Sequence, residues 1–225
     1  MLVLSLGVPR SASTWLYNAV YGLLALDGNV ARGFAETVGQ AVALRDRGAR
    51  HVVIQSHLPD AELLALAQSE GAIIASIRDP RDSVASMLLT FGGDPAQRTR
   101  EVCGAFAAIT RCIGDGRELV WRYEDRFADT PASTLAVLAT QLRINLSPSD
   151  LSLLAQSLSR DGVNASIRAL ESSPPEFLRC NGADVLHVQT HWHRNHLGDG
   201  RSGKWRNLDQ ATRHSVESAL APFVD

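Results

Sequence analysis

The pentapeptide LVLSL, Leu2–Leu6, runs straight into GVPRSASTW, Gly7–Trp15. The apolar run reads as a buried strand. Within the five positions after Pro9 stand one arginine and three small hydroxyl residues: Arg10, Ser11, Ser13 and Thr14. A loop that leaves a strand and opens a helix points backbone N–H groups outward, and the helix dipole adds partial positive charge there. With a guanidinium and hydroxyl donors added, the stretch reads as an oxyanion site. Ser13 acting as an ordinary helix cap is the competing explanation of the same residues. The phosphate loop GxxxxGK[ST] works by the same physics, but its Gly-Lys pair is missing here and no strand ends in an evident magnesium-binding aspartate.

Three further apolar runs read as strands: His51–Gln55, Ala72–Ile77 and Glu118–Arg122. In open α/β sheets ligands bind beyond the carboxyl ends of the strands. The second run is followed by Ser56 and His57, the third by Arg78, Asp79 and Arg81, the fourth by Tyr123, Glu124 and Asp125. All four strands therefore deliver polar groups to one edge. A free imidazole titrates near about pH 6.5, so His57 suits a general base for a hydroxyl proton. Arg78 has a fork that grips two oxygens of a phosphate, and Ser86, eight positions on, falls about two turns into the following helix. Each residue also has a structural explanation: an Arg78–Asp82 ion pair, helix packing for Ser86, a satisfied strand-end imidazole for His57, and core packing for Trp15 and Tyr123.

The elements that must hold these groups alternate. Helical patterns at Thr14–Leu26, Asp60–Ser69, Arg81–Leu89, Pro95–Ile113, Pro131–Leu142, Pro148–Leu158 and Leu208–Leu220 separate or follow the strands. Pro59 and Pro80 precede two of them, and Asp94 with Pro95 makes a start signal for the fourth. Strand–helix alternation implies βαβ units and an α/β fold, with one parallel sheet covered on both faces. From Arg160 to Asn207 the periodicity fails, and SSPPEF, CNGAD and GDGRSG read as loops. At 225 residues the chain is expected to form a single domain.

PRSASTW resembles the 5′-phosphosulfate loop, usually PKSGTTW, of the sulfotransferases that use 3′-phosphoadenosine 5′-phosphosulfate (PAPS). IRDPRDSVAS, Ile77–Ser86, is similar to that family's 3′-phosphate motif, IQSHLP, Ile54–Pro59, to the segment carrying its catalytic histidine, and RYED, Arg122–Asp125, to its Tyr-Glu-Asp corner. GDGRSGKWRN, Gly198–Asn207, resembles the C-terminal glycine loop that closes over the nucleotide. The motifs follow the family's order. The resemblance implies a P-loop nucleotide-kinase-like three-layer α/β/α fold and a sulfuryl transfer from PAPS, leaving adenosine 3′,5′-bisphosphate (PAP). It implies His57 as base and Arg10 at the leaving group. Arg10, Ser11, Ala12, Ser13 and Thr14 would hold the 5′-phosphosulfate, and Arg78 and Ser86 the 3′-phosphate. Trp15 would stack on adenine with Tyr123 nearby, and Arg201, Ser202 and Gly203 would close on the 3′-phosphate. Departures are the loop lysine (Arg10), the loop glycine (Ala12) and the lysine before the histidine (Gln55); with them the chain looks like bacterial members. Either Arg201 or Lys204 could replace the usual C-terminal cations.

The chain carries 22 basic and 24 acidic residues for a net charge of -2, which argues against nucleic acid as partner. A basic cluster is then aimed at a small anion. Cys103, Cys112 and Cys180 form no framework. With no signal peptide and no membrane-length apolar run, a cytoplasmic location is expected. His187, His191, His193 and His196 cluster, but lack a carboxylate or cysteine at ligand spacing. No metal is expected, and the segment reads as a solvated lid. The acceptor is a small molecule, glycan or lipid bearing a hydroxyl or, less readily, an amine. Its walls would come from 26–50 and 160–196, with Phe34, Phe177 and Trp192 as lining or packing. The rival functions are a phosphotransferase and a non-catalytic PAP- or PAPS-binding module.

Overall fold

Strand β1 (Leu2–Gly7) is buried along its whole length, because it lies in the middle of a five-stranded parallel sheet of order β2-β3-β1-β4-β5. The computed structural model describes residues 1–46, 48–112, 119–174, 178–181 and 184–224. The other strands are β2 (Val30–Phe34), β3 (His51–Ser56), β4 (Gly71–Ile77) and β5 (Leu119–Arg122). β1 pairs with β3 through Leu6↔Ser56 and with β4 through Gly7↔Ser76. The carboxyl ends of the three central strands therefore stop level with one another, and their loops leave from one rim.

Alternation along β1 builds two cores. Leu2, Leu4 and Leu6 pack on the face that also buries Leu63, Val102 and Val216. These belong to α3 (Ala61–Glu70), α5 (Pro95–Cys112) and α9 (Gln210–Leu220). Val3 faces the other way, onto Leu16, Leu138, Leu158 and Val163, from α1 (Ser13–Ala25), α6 (Pro131–Leu142), α7 (Pro148–Leu158) and α8 (Arg160–Ala169). The expected three-layer α/β/α arrangement is the observed one.

Local chemistry sets the starts of these helices and of α4 (Pro80–Phe91), ahead of which Asp79 accepts from Arg81 N at 2.9 Å. Asp60 accepts from Leu63 N at 2.7 Å ahead of α3. Asp94 accepts from Ala96 N and Gln97 N at 3.2 and 3.0 Å ahead of α5. The fourth sequence strand and the α5 pattern each reach into 113–118, outside the described residues.

Five elements were not among those expected. The sheet has a fifth parallel strand, β2, at its edge. VARGF lacks an apolar run because Arg32 and Gly33 interrupt it, and only β3 pairs with it. It is followed by α2 (Val38–Arg45), opened by a capping box between Thr37 and Gln40. The stretch after Arg160 is not all loop either. α8 begins at Arg160, where Ser159 accepts from Gly162 N at 3.1 Å, and β6 (Leu178–Asn181) pairs antiparallel with β7 (Asp184–His187). α8 eluded the periodicity because only Val163 and Ile167 of its ten residues are buried.

The rim geometry needs a glycine at the end of β1. A Cβ on Gly7 would stand 2.2 Å from Ser13 Cβ and 3.0 Å from Ser76 Oγ, where α1 turns back over the strand. Gly7→Ala should lower stability by about 1–3 kcal/mol, the usual cost of overpacking. A thermal-unfolding midpoint unchanged from the parent would contradict that close approach.

Candidate active site at the strand ends

The β1–α1 loop turns on two non-glycine residues in the left-handed region, Arg10 at φ 67° and Ala12 at φ 64°. Ser11, between them, is fully buried. Its Oγ lies 2.6 Å from Val8 O, 3.0 Å from Ser76 O and 2.7 Å from Ser76 Oγ. That hydroxyl ties the loop back on itself at Val8 and to β4 at Ser76, and does not line the cavity, unlike Ala12, Ser13 and Thr14. Ser13 does not cap α1: it is the first helical residue, and Ala12 precedes it with no side-chain cap. The first-turn N–H groups of α1 therefore lack a side-chain acceptor.

The loop opens into a cavity of about 820 Å³ whose wall carries Arg10, Arg78, Arg126, Arg160 and Lys204, against the single carboxylate of Asp129. In a chain of net charge -2, that local surplus of cations gives the cavity a positive potential, which attracts anions. Arg10 Nε donates to Ser86 Oγ at 3.1 Å, and Arg78 Nη1 donates to Arg10 O at 3.2 Å. Arg10, Arg78 and Ser86 thus meet at one place. Arg78 is 4% exposed and lies 4.1 Å from the Tyr123 ring centroid. Its Nε has no acceptor among the described residues.

The Arg78–Asp82 ion pair exists, at 3.6 Å, yet Asp82 does more. Its carboxylate accepts from Gly203 N at 2.6 Å and Trp205 N at 3.2 Å, which fixes the C-terminal glycine loop beside the cavity. The carbonyl of Arg201 accepts from Arg78 Nη2 at 2.8 Å. Arg201 and Ser202 are exposed and line a separate hollow that also includes Tyr123, while Lys204 lines the main cavity in an ion pair with Asp199 at 2.5 Å. Of the two cations, Lys204 is thus the one in the main cavity wall. Glu124 holds the neighbouring corner by accepting from Asp79 N at 2.9 Å.

Trp15 serves both as core and as wall. It is 6% exposed, its Nε1 donates to Leu158 O at 2.7 Å, and it lines the cavity edge-on to Phe127.

His57 lies on the same wall, and its Nδ1 is 2.6 Å from Gly7 O. A carbonyl only accepts, so Nδ1 carries the proton and Nε2 presents its lone pair. Nε2 has no hydrogen-bond partner among the described residues. Burial pushes the imidazole below its ordinary range, against a smaller raising effect from the Gly7 hydrogen bond. His57 is therefore neutral at pH 7, the form in which it accepts a proton.

The 187–196 histidines are not a solvated lid. Tyr17 Oη donates to Gln189 O and Asn18 Nδ2 to Thr190 O, both at 2.8 Å, and Trp192 is 7% exposed. His191 stacks on Tyr17 with ring centroids 4.9 Å apart and contacts Gln55, while His196 contacts Thr14. Burial, with Arg32 nearby, lowers His191 to about 4, and burial, with His193 and Arg10 beside it, holds His196 well below its usual range. Among the described residues no group of three or more His, Cys, Asp or Glu is placed to hold a metal ion. Phe34 lines the cavity and Phe177 lies outside the described residues. Arg126 and Arg160 line the wall without having been singled out in the sequence, since neither belongs to a strand end or a recognisable spacing.

The class that this fold and rim define is an α/β protein with a cation-lined cavity at the strand ends. Solved structures with the same fold include mouse sulfotransferase SULT7A1 complexed with PAP. It is 15% identical, with a TM-score of 0.64, over 98% of this chain and 83% of that one. Retinol dehydratase in complex with retinol and PAP is 14% identical, with a TM-score of 0.51, over 98% and 80%. The same protein with androsterone and inactive cofactor PAP gives 15% and 0.50 over the same shares. The chain thus has the sulfotransferase α/β fold. No protein-family profile matches it, and no curated protein sequence does. Among the described residues no helix is long and apolar enough to cross a membrane.

The lowered histidines have a consequence for stability. Below about pH 6.5 the unfolded chain binds protons that folded His57, His187, His191 and His196 refuse, so stability falls as pH falls. For His191 alone, a shift from 6.5 to about 4 amounts to a loss on the order of 3 kcal/mol by pH 4. Denaturant unfolding between pH 7 and 4 should show this decline. A flat profile would mean that the histidines are solvated.

Proposed function

We propose that the protein is a PAPS-dependent sulfotransferase that moves a sulfuryl group to a hydroxyl acceptor, less readily to an amine, as a single cytoplasmic domain of the bacterial type. One observation carries the reading: a neutral imidazole, His57 with Nε2 unengaged among the described residues, shares a cavity wall with a cation cluster centred on Arg10 and Arg78. A nucleotide with anionic groups at both its 5′ and 3′ ends requires that surplus of positive charge, and a hydroxyl nucleophile requires the base.

The residues fit such a nucleotide. The cavity has room for it and an acceptor. The first turn of α1 lacks a side-chain cap, and the unmet Arg78 Nε is a donor of the kind that an anionic oxygen satisfies. Bound there, PAPS would supply a sulfuryl group on a stable leaving group. Arg10, Ser13, Thr14 and the first-turn N–H groups hold the 5′ end, while the buried Ser11 supports the loop from behind. Arg78 and Ser86 hold the 3′-phosphate, with Gly203 and its neighbours Arg201 and Ser202 closing from the C-terminal loop. Trp15 and Tyr123 bracket the base. His57 takes the acceptor's hydroxyl proton on Nε2, and Arg10 faces charge developing on the leaving group. The acceptor, a small molecule, glycan or lipid, lies against Phe34, Val188 and Trp192 on the apolar part of the wall.

Removing the base by His57→Ala should cut kcat about 10²–10⁴-fold with PAP affinity retained; an active variant would remove His57 from the role. Arg78→Ala should weaken PAP by about 2–5 kcal/mol while hardly touching adenosine 5′-phosphate, and equal losses for the two ligands would refute the 3′ assignment. Stabilisation by ATP–magnesium and none by PAP would point to phosphoryl transfer instead.

A further inference from the structure

The Thr14 hydroxyl sits at the centre of a hydrogen-bond chain that the proposed reaction does not by itself require. Thr14 Oγ1 lies 3.1 Å from Gln55 Nε2 and 2.7 Å from His196 Nε2. The direction of each bond follows from its other end. Gln55 Oε1 accepts from His191 Nδ1 at 2.6 Å, which leaves the Gln55 amide N–H to donate to Thr14. His196 Nδ1 accepts from His193 N at 3.1 Å, so in the neutral ring the proton is on Nε2 and is donated to Thr14 as well.

Both lone pairs of the Thr14 oxygen are then taken by donors, since a hydroxyl has two acceptor sites and a single proton to give. That proton has to go to a third group. Thr14 is 5% exposed, lines the cavity and opens α1 beside Arg10, so an anionic oxygen at the 5′ end of the ligand is the acceptor on offer. His196 is held neutral by burial and by His193, Arg10, His191 and His57 around it. That neutrality keeps Nδ1 able to accept from His193. The edge of Trp192 and the ring of His193 pack against His196, so its orientation is fixed before a ligand arrives.

We propose that His196 is a positioning residue that, with Gln55, locks the Thr14 hydroxyl as a pure donor toward the 5′-terminal anionic group of the nucleotide. The inference rests on the function proposed above and concerns the same site. Its class of ligand is an adenine nucleotide with a 5′-phosphate or 5′-phosphosulfate.

The test is titration of the full chain with PAP and, separately, with adenosine 3′-phosphate, which has no 5′ anion. His196→Phe keeps the ring and loses the donor. His196→Asn keeps an acceptor for His193 N but does not reach Thr14, and serves if the first variant does not fold. Either should weaken PAP about tenfold, in the range of a hydrogen bond to a charged group, and change adenosine 3′-phosphate less than about twofold. His196→Gln, whose amide N–H can reach where Nε2 does, should bind PAP within about threefold of the parent. In a Thr14→Val background the His196→Phe loss should shrink to less than about twofold, since the hydroxyl it orients is gone. Equal weakening of both ligands, no weakening of PAP, a Gln variant as weak as Phe, or full additivity with Thr14→Val would each overturn the role of His196. A parent protein that binds neither ligand overturns the proposed function itself and is told apart by that first titration.

Discussion

The structure turns on how one short loop is anchored. Ser11 buries its hydroxyl against Val8 O and Ser76 of β4, and this anchor stands between Arg10 and Ala12, which both adopt left-handed backbone. Each such residue costs on the order of 1–2 kcal/mol when it is not glycine. What the strain produces is an α1 whose first turn has no side-chain cap and an arginine folded back over the cavity. A serine at position 13 that capped the helix would have satisfied those N–H groups internally. The position where the related motif has glycine is thus explained by its φ of 64° at Ala12, a conformation that glycine takes at no steric cost.

Around that loop, charge is sorted by type. The cations are four arginines and one lysine, and a guanidinium stays charged even when partly buried. The titratable imidazoles are pushed to the neutral form by burial, His57 and His196 among them. Had those rings been charged, they would have added repulsion to a wall already holding five cations. Neutral, His57 keeps a lone pair on Nε2 and His196 accepts from His193 N on Nδ1. Gln55 fits the same scheme: the lysine of the related motif would have brought another charge, whereas the amide joins Thr14 to His191 without one.

Much of this was legible in the sequence, for a physical reason. A buried parallel strand is a continuous apolar run, and the residues after it are forced to the ligand edge of the sheet. Hence Arg10, His57, Arg78 and Tyr123 could all be placed on one rim, and the structure does bring them to one cavity. What eluded the reading lacks such a signal. β2 is an edge strand interrupted by Arg32 and Gly33, and α8 buries two side chains per ten. His191 and His196 reach the site through tertiary docking of their segment on Tyr17 and Asn18, a contact across more than 170 positions that no local period encodes. Ser11 is the converse case: its type suited an anion donor, but its alternate position in the loop turned it inward.

The C-terminal loop shows how tightly the anion-binding donors are already engaged. Arg10 Nη1 donates to Asn195 O, Arg160 Nη2 to Gly198 O and Arg78 Nη2 to Arg201 O, at 3.0, 2.7 and 2.8 Å. Three guanidiniums from three separate elements thus hold carbonyls of one seven-residue stretch, and Asp82 holds its far side through Gly203 and Trp205. Of the three, Arg78 is buried, and a buried guanidinium left without acceptors costs on the order of several kcal/mol; the Arg201 carbonyl meets part of that need. On the function proposed above, an entering phosphate would exchange with these peptide oxygens instead of meeting bare charge. Exchange of that kind makes affinity depend on the loop's own stability, which Asp82 sets from a position that contacts the backbone of the loop and lines no part of the cavity.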